Sequence, residues 1–165
     1  MRKFLLFYLL LVFSTFYGQN LSWSELIKLQ TATLAEFEEY VTMKGWDYMS
    51  STTPKEGKLS GPGFQYVDHK DKLYFSFITY LYDEKGTRII ISTHSKNKYL
   101  EYYNGIKTLN PELISSKSDV EGITKIYKGD FTVYVIRTTS FVHQDLTLQS
   151  WTVEIRPVTD LIEED

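Results

Sequence analysis

Residues 72–94, KLYFSFITYLYDEKGTRIIISTH, have the pattern of a β-hairpin, with two aromatic and β-branched runs on either side of a DEKG turn at 83–86. A hairpin at a protein surface usually has one apolar face and one polar face. Here both faces are apolar or aromatic. The stretch therefore predicts an antiparallel sheet, and it raises the question of what covers the second face.

A three-residue hairpin loop with Gly86 in the left-handed position suits the turn and places Asp83 opposite Thr87. Because side chains alternate along a strand, this register separates the hairpin into two faces. We expect one face to belong to the core, with Phe75, Phe77, Leu81, Ile89 and Ile91. We expect the reverse face to carry the candidate binding residues Tyr74, Ile78, Tyr80, Tyr82, Arg88, Ile90 and His94.

The last hairpin has the same kind of turn, around VHQDL at 142–146. A three-residue loop there pairs Val135 with Val153 and Val133 with Ile155, which assigns these four residues to the core, together with Phe131 and Trp151. Tyr134 then lies on the reverse face. If the two hairpins share one sheet, Tyr134 joins the candidate binding residues.

Two helices accompany the strands. Leu34, Phe37 and Val41 form an apolar stripe at helical spacing, and Thr33 with Glu36 makes a capping box. A second helix is predicted over 96–110, and three strands follow each helix. The order predicts the α+β class: an antiparallel sheet of about five or six strands with two main helices on one face. It also suggests a duplicated unit of about 60 residues, although we find no repeated residues to support it.

Residues 50–63, SSTTPKEGKLSGPG, are rich in Ser, Thr, Gly and Pro and predict a long mobile loop. Residues 159–165, TDLIEED, predict a frayed acidic tail. Residues 19–165 are otherwise expected to form a single domain, since 147 residues can bury an adequate core.

Residues 1–18 have the layout of a secretory signal peptide: Arg2 and Lys3, then an apolar run at 4–13, then small residues up to Gly18. The run is too short to span a bilayer, so the mature chain is expected to have no transmembrane helix. We expect a periplasmic or extracellular protein. It is not a lipoprotein, because the chain has no Cys to carry the lipid.

The composition disfavours several kinds of partner. The full chain has a formal net charge of −3, and removal of the signal peptide leaves 16 basic against 21 acidic residues, a charge of −5. Nucleic acids and anionic lipids bind basic patches, so neither is expected as a partner. The absence of Cys excludes disulfides and thiol nucleophiles.

No catalytic, cofactor or metal motif is found in the sequence. The three histidines, His69, His94 and His143, have no metal-binding spacing, and Asp68, His69 and Asp71 suit a turn between strands. We therefore predict no cofactor, no metal site and no catalytic residues. His94, at the end of a strand on the aromatic face, is the one residue that would suit a general base if it had a pocket and a partner.

Three functions fit these observations. The first is a non-catalytic binding or interaction module that uses the reverse face to bind a protein partner or a second copy. The second is an inhibitor or immunity-type protein directed against an exported target. The third is a hydrolytic enzyme that uses His94.

Overall fold

The computed structural model describes residues 21–52, 59–67, 75–83, 86–143 and 146–161. The helices are α1 Trp23–Leu29, α2 Leu34–Met43 and α3 Lys96–Thr108. The strands are β1 Asp47–Thr52, β2 Gly61–Val67, β3 Phe75–Asp83, β4 Gly86–Thr93, β5 Glu112–Ser118, β6 Gly122–Lys128, β7 Thr132–His143 and β8 Leu146–Pro157. A 3-10 helix, Val158–Leu161, follows β8.

All eight strands belong to one antiparallel sheet in the order β1-β2-β3-β4-β8-β7-β6-β5. The predicted sheet of five or six strands, in helix-β3-helix-β3 order, was wrong, because a fourth strand follows α2 and another follows α3. The two missed strands, β1 and β5, are the edges of the sheet. Their side chains are mostly exposed and rich in Ser, so no apolar alternation marks them in the sequence.

The segment predicted as a loop at 50–63 begins and ends in strands. Ser50 and Ser51 belong to β1, and β2 starts at Gly61 rather than at Phe64. Glycine is required at 61, because a Cβ atom there would overlap the backbone carbonyl of Tyr80. Residues 53–58 lie outside the described residues, so the predicted mobility stays a prediction.

The two halves of the sheet are related by an approximate two-fold symmetry in topology. The pairing of Ile91 on β4 with Val153 on β8 joins the halves, and the strand order is the same from either edge. DYMSS at 47–51 and ELISS at 112–116 occupy equivalent positions, and each strand has a register shift at its third residue. The strand order is thus the same in the two halves, with four strands in each, but two helices precede the first four strands and one precedes the last four, so the predicted unit of one helix and three strands was wrong.

Both predicted hairpin registers were wrong by one residue. Asp83 pairs with Gly86 rather than Thr87, and His143 pairs with Leu146, so each loop has two residues instead of three. A shift of one residue exchanges the faces of a strand relative to its partner. The residues of β4 and β8 assigned to the core do face the helices. Those of β3 and β7 assigned to the core, Phe75, Phe77, Leu81, Val133 and Val135, lie on the opposite face.

The core lies between the sheet and the three helices. The ring of Phe37 lies 4.7 Å from that of Tyr80, and the Tyr80 hydroxyl donates a hydrogen bond to the carbonyl oxygen of Ala32 at 2.8 Å. Tyr102 donates in the same way to Leu21, at 2.6 Å. Tyrosine side chains are thus buried among apolar groups while their hydroxyls satisfy carbonyls in the helix connections. Fully buried members of this core include Leu26, Phe37, Val41, Ile78, Ile89, Ile91, Tyr102, Ile106 and Ile155.

The local helix signals are confirmed. Thr33 and Glu36 form the predicted capping box of α2, and Ser95 caps α3. Glycine is unfavourable in a helix, but packing requires it at 105, because a Cβ atom at this position would overlap the indole of Trp23. The glycine therefore lets α1 and α3 approach closely.

The prediction of a frayed tail was wrong for its first residues. Asp160 is 5% exposed, and its carboxylate lies 2.8 Å from Nε of Arg88. Residues 162–165 are not among the described residues.

Candidate binding face on the reverse side of the sheet

The structure divides the predicted site residues between the two faces of the sheet. Ile78, Tyr80, Tyr82 and Tyr134 lie on the helix face, and all but Tyr82 are buried there. The reverse face, which is the face opposite the helices, carries Arg88, Ile90 and His94. Tyr74 lies outside the described residues. The prediction that these residues share one face was therefore wrong, because the register on which it depended was wrong.

Four aromatic rings form a cluster at one end of the reverse face, which we call the aromatic cluster: Phe75, Phe77, His94 and Phe141. The centroid of the His94 ring lies 4.1 Å from that of Phe75, which lies 5.3 Å from that of Phe77. Phe141, on β7, meets His94 edge to face at 5.9 Å. Phe141 is 42% exposed, so the cluster reaches the protein surface.

Small polar residues lie between the rings of β3 and β7. Across the sheet, Phe77 pairs with Ser92, Ser92 with Thr152, and Thr152 with Arg137. The hydroxyls of Ser92 and Thr152 lie 2.8 Å apart and satisfy one another. Short polar side chains on β4 and β8 therefore lie between Phe77 on β3 and Arg137 on β7.

The hydrogen bond of His94 fixes its tautomer. Nδ1 lies 3.2 Å from the carbonyl oxygen of Phe75. A carbonyl can only accept, so Nδ1 carries the hydrogen, and Nε2 of the neutral ring is an acceptor. Nε2 is shielded from water and has no hydrogen-bond partner among the described residues. Such an unsatisfied buried acceptor costs about 1–3 kcal/mol and is expected to have a reason.

The other end of the reverse face is closed by charged residues and the 3-10 helix. Arg88 pairs with Asp160, and Arg137 lies 3.5 Å from the buried carboxylate of Glu154. The amide of Val158 donates to the carbonyl of Phe131 at 3.1 Å, which holds the 3-10 helix against β7. Val133 and Val135 are buried at this end, so the accessible part of the face is the aromatic end.

The tyrosines near α3 and β6 are not arranged as nucleophiles. Burial, and then a hydrogen bond with Tyr103, raise the pKa of Tyr127 to about 12. Burial also raises the pKa of Tyr99 and of Tyr134. Their phenolate forms are therefore disfavoured at neutral pH, and these rings act in packing.

A shallow groove of about 580 Å³ lies where α3 meets β5, with Leu109, Phe131 and Tyr134 in its lining. Its polar groups include Glu112, Lys128 and Asp130, so it has mixed charge. Within the described ranges, no group of three His, Asp or Glu residues is close enough to hold a metal ion. No helix there is long and apolar enough to cross a membrane.

Sequence reasoning missed Phe141 and assigned Phe75 and Phe77 to the core. Only the loop length distinguishes the two faces of β3, because both faces carry apolar residues. A two-residue loop at 84–85 would have moved Phe75 and Phe77 to the reverse face. No protein-family model, no curated protein and no solved structure matches this chain.

Proposed function

We propose that this protein is an exported, non-catalytic binding module, which binds a protein partner through the aromatic end of the reverse face. The observation that carries the proposal is the aromatic cluster, in which an exposed phenyl ring lies beside a histidine with an unsatisfied acceptor. Aromatic groups at an accessible surface are characteristic of interface anchors.

A protein partner fits this surface better than a small molecule. Phe77 and Phe141 lie on the face of a sheet, whereas small ligands bind in deep concave pockets that cover most of their surface. An apolar side chain of a partner suits the exposed ring of Phe141.

The contacts of His94 favour binding over hydrolysis. Its described partners are a backbone carbonyl and two phenyl rings, and no carboxylate is among them. A general base needs an orienting partner and a substrate pocket. The hydrolytic alternative therefore gains no support from this geometry.

Export is proposed from the sequence of residues 1–18, with its basic start, apolar run and small residues. N-terminal sequencing of the mature protein tests it. We expect Gln19 at the start of a protein recovered outside the cytoplasm, whereas an intact Met1 in a cytoplasmic fraction would contradict the proposal.

Paired substitutions test the binding proposal. Phe77→Ser with Phe141→Ser removes two rings of the aromatic cluster, while Met43→Ser with Leu100→Ser removes two apolar side chains that are exposed elsewhere. Proteins that co-purify with the exported wild-type chain should be lost with the first pair and kept with the second. Equal recovery of these proteins with both pairs of substitutions, when circular dichroism shows that both variants are folded, would show that the aromatic cluster does not bind them.

A further inference from the structure

The exposed apolar side chains are concentrated at the β5 edge of the sheet. Among the described residues, twelve large apolar side chains are exposed, and six of them lie within residues 109–131, which cover the end of α3 and the strands β5 and β6. On β5 itself, Leu113 is 50% exposed and Ile114 is 40% exposed. Apolar residues gathered in this way indicate an interaction surface.

β5 also offers backbone groups to a partner. It is the last strand in the sheet order and pairs only with β6 within the described residues. An edge strand presents unpaired amide and carbonyl groups, which bind a further strand. The apolar side chains and the open backbone thus occur on the same strand.

The charges of β5 favour a second copy of the same strand. We propose that two copies of this protein associate through antiparallel pairing of β5 with β5, which joins their sheets into one. With the two-fold axis at the register shift between Leu113 and Ser115, Glu112 lies opposite Lys117 of the partner subunit. Two pairs of opposite charge form, because the symmetry repeats the contact.

The faces of the side chains agree with this register. The pairing of β5 with β6 puts Glu112 and Lys117 on the reverse face, and Leu113 and Ser116 on the helix face. Antiparallel pairs must lie on one face of a sheet. Ile114 and Ser115 together oppose Ile126, so the register shift occupies a single position in the pairing. The side chains of β5 therefore keep their alternation between the two faces of the sheet on both sides of the two-fold axis.

The opposite edge lacks this complementarity. β1 occupies the equivalent position in the first half, with Asp47 where β5 has Glu112, but its residue at the position of Lys117 is Thr52. Pairing of β1 with itself in the same register therefore forms no charge pair. Two copies then associate through β5 and not through β1, so the assembly closes as a dimer and does not extend into a larger oligomer.

Charge exchange tests the register. We expect sedimentation equilibrium of the full chain, purified after expression, to show a dimer at high micromolar concentration. Lys117→Glu and Glu112→Lys should each raise the dimer dissociation constant by about tenfold, since each replaces two attractive contacts with two repulsive ones. The double variant Glu112→Lys with Lys117→Glu should restore wild-type association. Asp47→Lys, at the equivalent position on β1, is the matched control and should leave association unchanged.

Three outcomes would overturn the proposal: a monomeric wild-type chain at this concentration, a double variant as weak as the single ones, or an equal effect of Asp47→Lys. Circular dichroism of each variant excludes misfolding as the cause. The result does not depend on the aromatic cluster, since these substitutions lie outside it.

Discussion

Nδ1 of His94 lies 3.2 Å from the carbonyl oxygen of Phe75, and the two rings lie 4.1 Å apart. This contact ties the end of β4 to the start of β3 on the face away from the helices. It holds an imidazole against a phenyl ring with one nitrogen satisfied and the other shielded from water. The arrangement fixes the imidazole beside the exposed ring of Phe141.

The tautomer of His94 is a direct prediction of this geometry. For the neutral ring of His94 in the folded protein, we expect nitrogen NMR to show the hydrogen on Nδ1 and none on Nε2, because the carbonyl of Phe75 accepts the hydrogen. Phe141→Ala should preserve this tautomer, since the hydrogen-bond partner of Nδ1 is the carbonyl of Phe75. A neutral ring with its hydrogen on Nε2 and none on Nδ1 would show that the bond to Phe75 is absent in solution.

Gly105→Ala should destabilise the protein although alanine is the better helix former. The gain in helix propensity is about 1 kcal/mol, whereas forcing a methyl group against Trp23 costs about 1–3 kcal/mol. We expect a net loss of up to about 2 kcal/mol in the free energy of unfolding, measured with urea.

Asn104→Ala is the control on the same helix. Its side chain is exposed, so the substitution should stabilise by a few tenths of a kcal/mol. A Gly105→Ala protein as stable as Asn104→Ala would contradict the close approach of α1 and α3.

Stability should fall in acid because of Glu25. Burial alone would raise the pKa of its carboxyl, but hydrogen bonds from Lys44, Tyr40 and Ser22 outweigh it and lower the pKa to about 2 from the ordinary 4.5. The stabilisation is therefore complete above pH 4.5 and is lost as the pH falls toward 2. Because water around this partly exposed carboxylate weakens its interactions, we expect it to contribute about 1–2 kcal/mol to the free energy of unfolding at neutral pH.

Comparison with Glu25→Gln isolates this contribution. The difference in unfolding free energy between wild type and variant should be largest at neutral pH and should shrink below pH 4.5. Glu39→Gln, on an exposed site of α2, should match the wild type within about 0.5 kcal/mol throughout. A difference for Glu25→Gln that does not change with pH would contradict the assignment.

Asp160 should stabilise the closed end of the reverse face. Its carboxylate is 2.8 Å from Nε of Arg88, although the two groups are not aligned as a hydrogen bond, so attraction between the charges maintains the pair. Asp160→Asn leaves the arginine without its counter-charge in a largely buried site and should cost about 2–3 kcal/mol. Asp130→Asn, at an exposed turn, should change the unfolding free energy by less than about 0.5 kcal/mol. Equal denaturation midpoints for the two variants would refute the role of the pair.

The sequence predicted the faces of some strands and not of others, for a physical reason. On β8, Trp151, Val153 and Ile155 alternate with polar residues, so their inward orientation follows from the pattern. On β3, Phe75 and Phe77 compete with Ile78 and Tyr80 for the core, and the apolar pattern fits both registers. The length of the turn decides between them, and one residue of error in the turn exchanged the faces.

Local sequence patterns could predict neither the edge strands nor the aromatic cluster. β1 and β5 form strands because a neighbouring strand pairs with each of them. Their own side chains are too exposed and polar for the sequence to predict a strand. The cluster brings Phe141 of β7 to the β3–β4 hairpin, which is distant from it in sequence and becomes its neighbour only through the pairing of β4 with β8. The helix α2, by contrast, was predicted well, since its capping box and apolar stripe are local.

Site-specific photo-crosslinking at position 141 tests the proposed binding face most directly. A benzoylphenylalanine at 141 replaces a ring that is 42% exposed, and the same group at 100 replaces a side chain that is 40% exposed on α3. In cells that export the protein, illumination should give a discrete protein adduct at position 141 and none at position 100. Adducts at both positions in equal yield, or at neither, would contradict binding through the aromatic end of the reverse face.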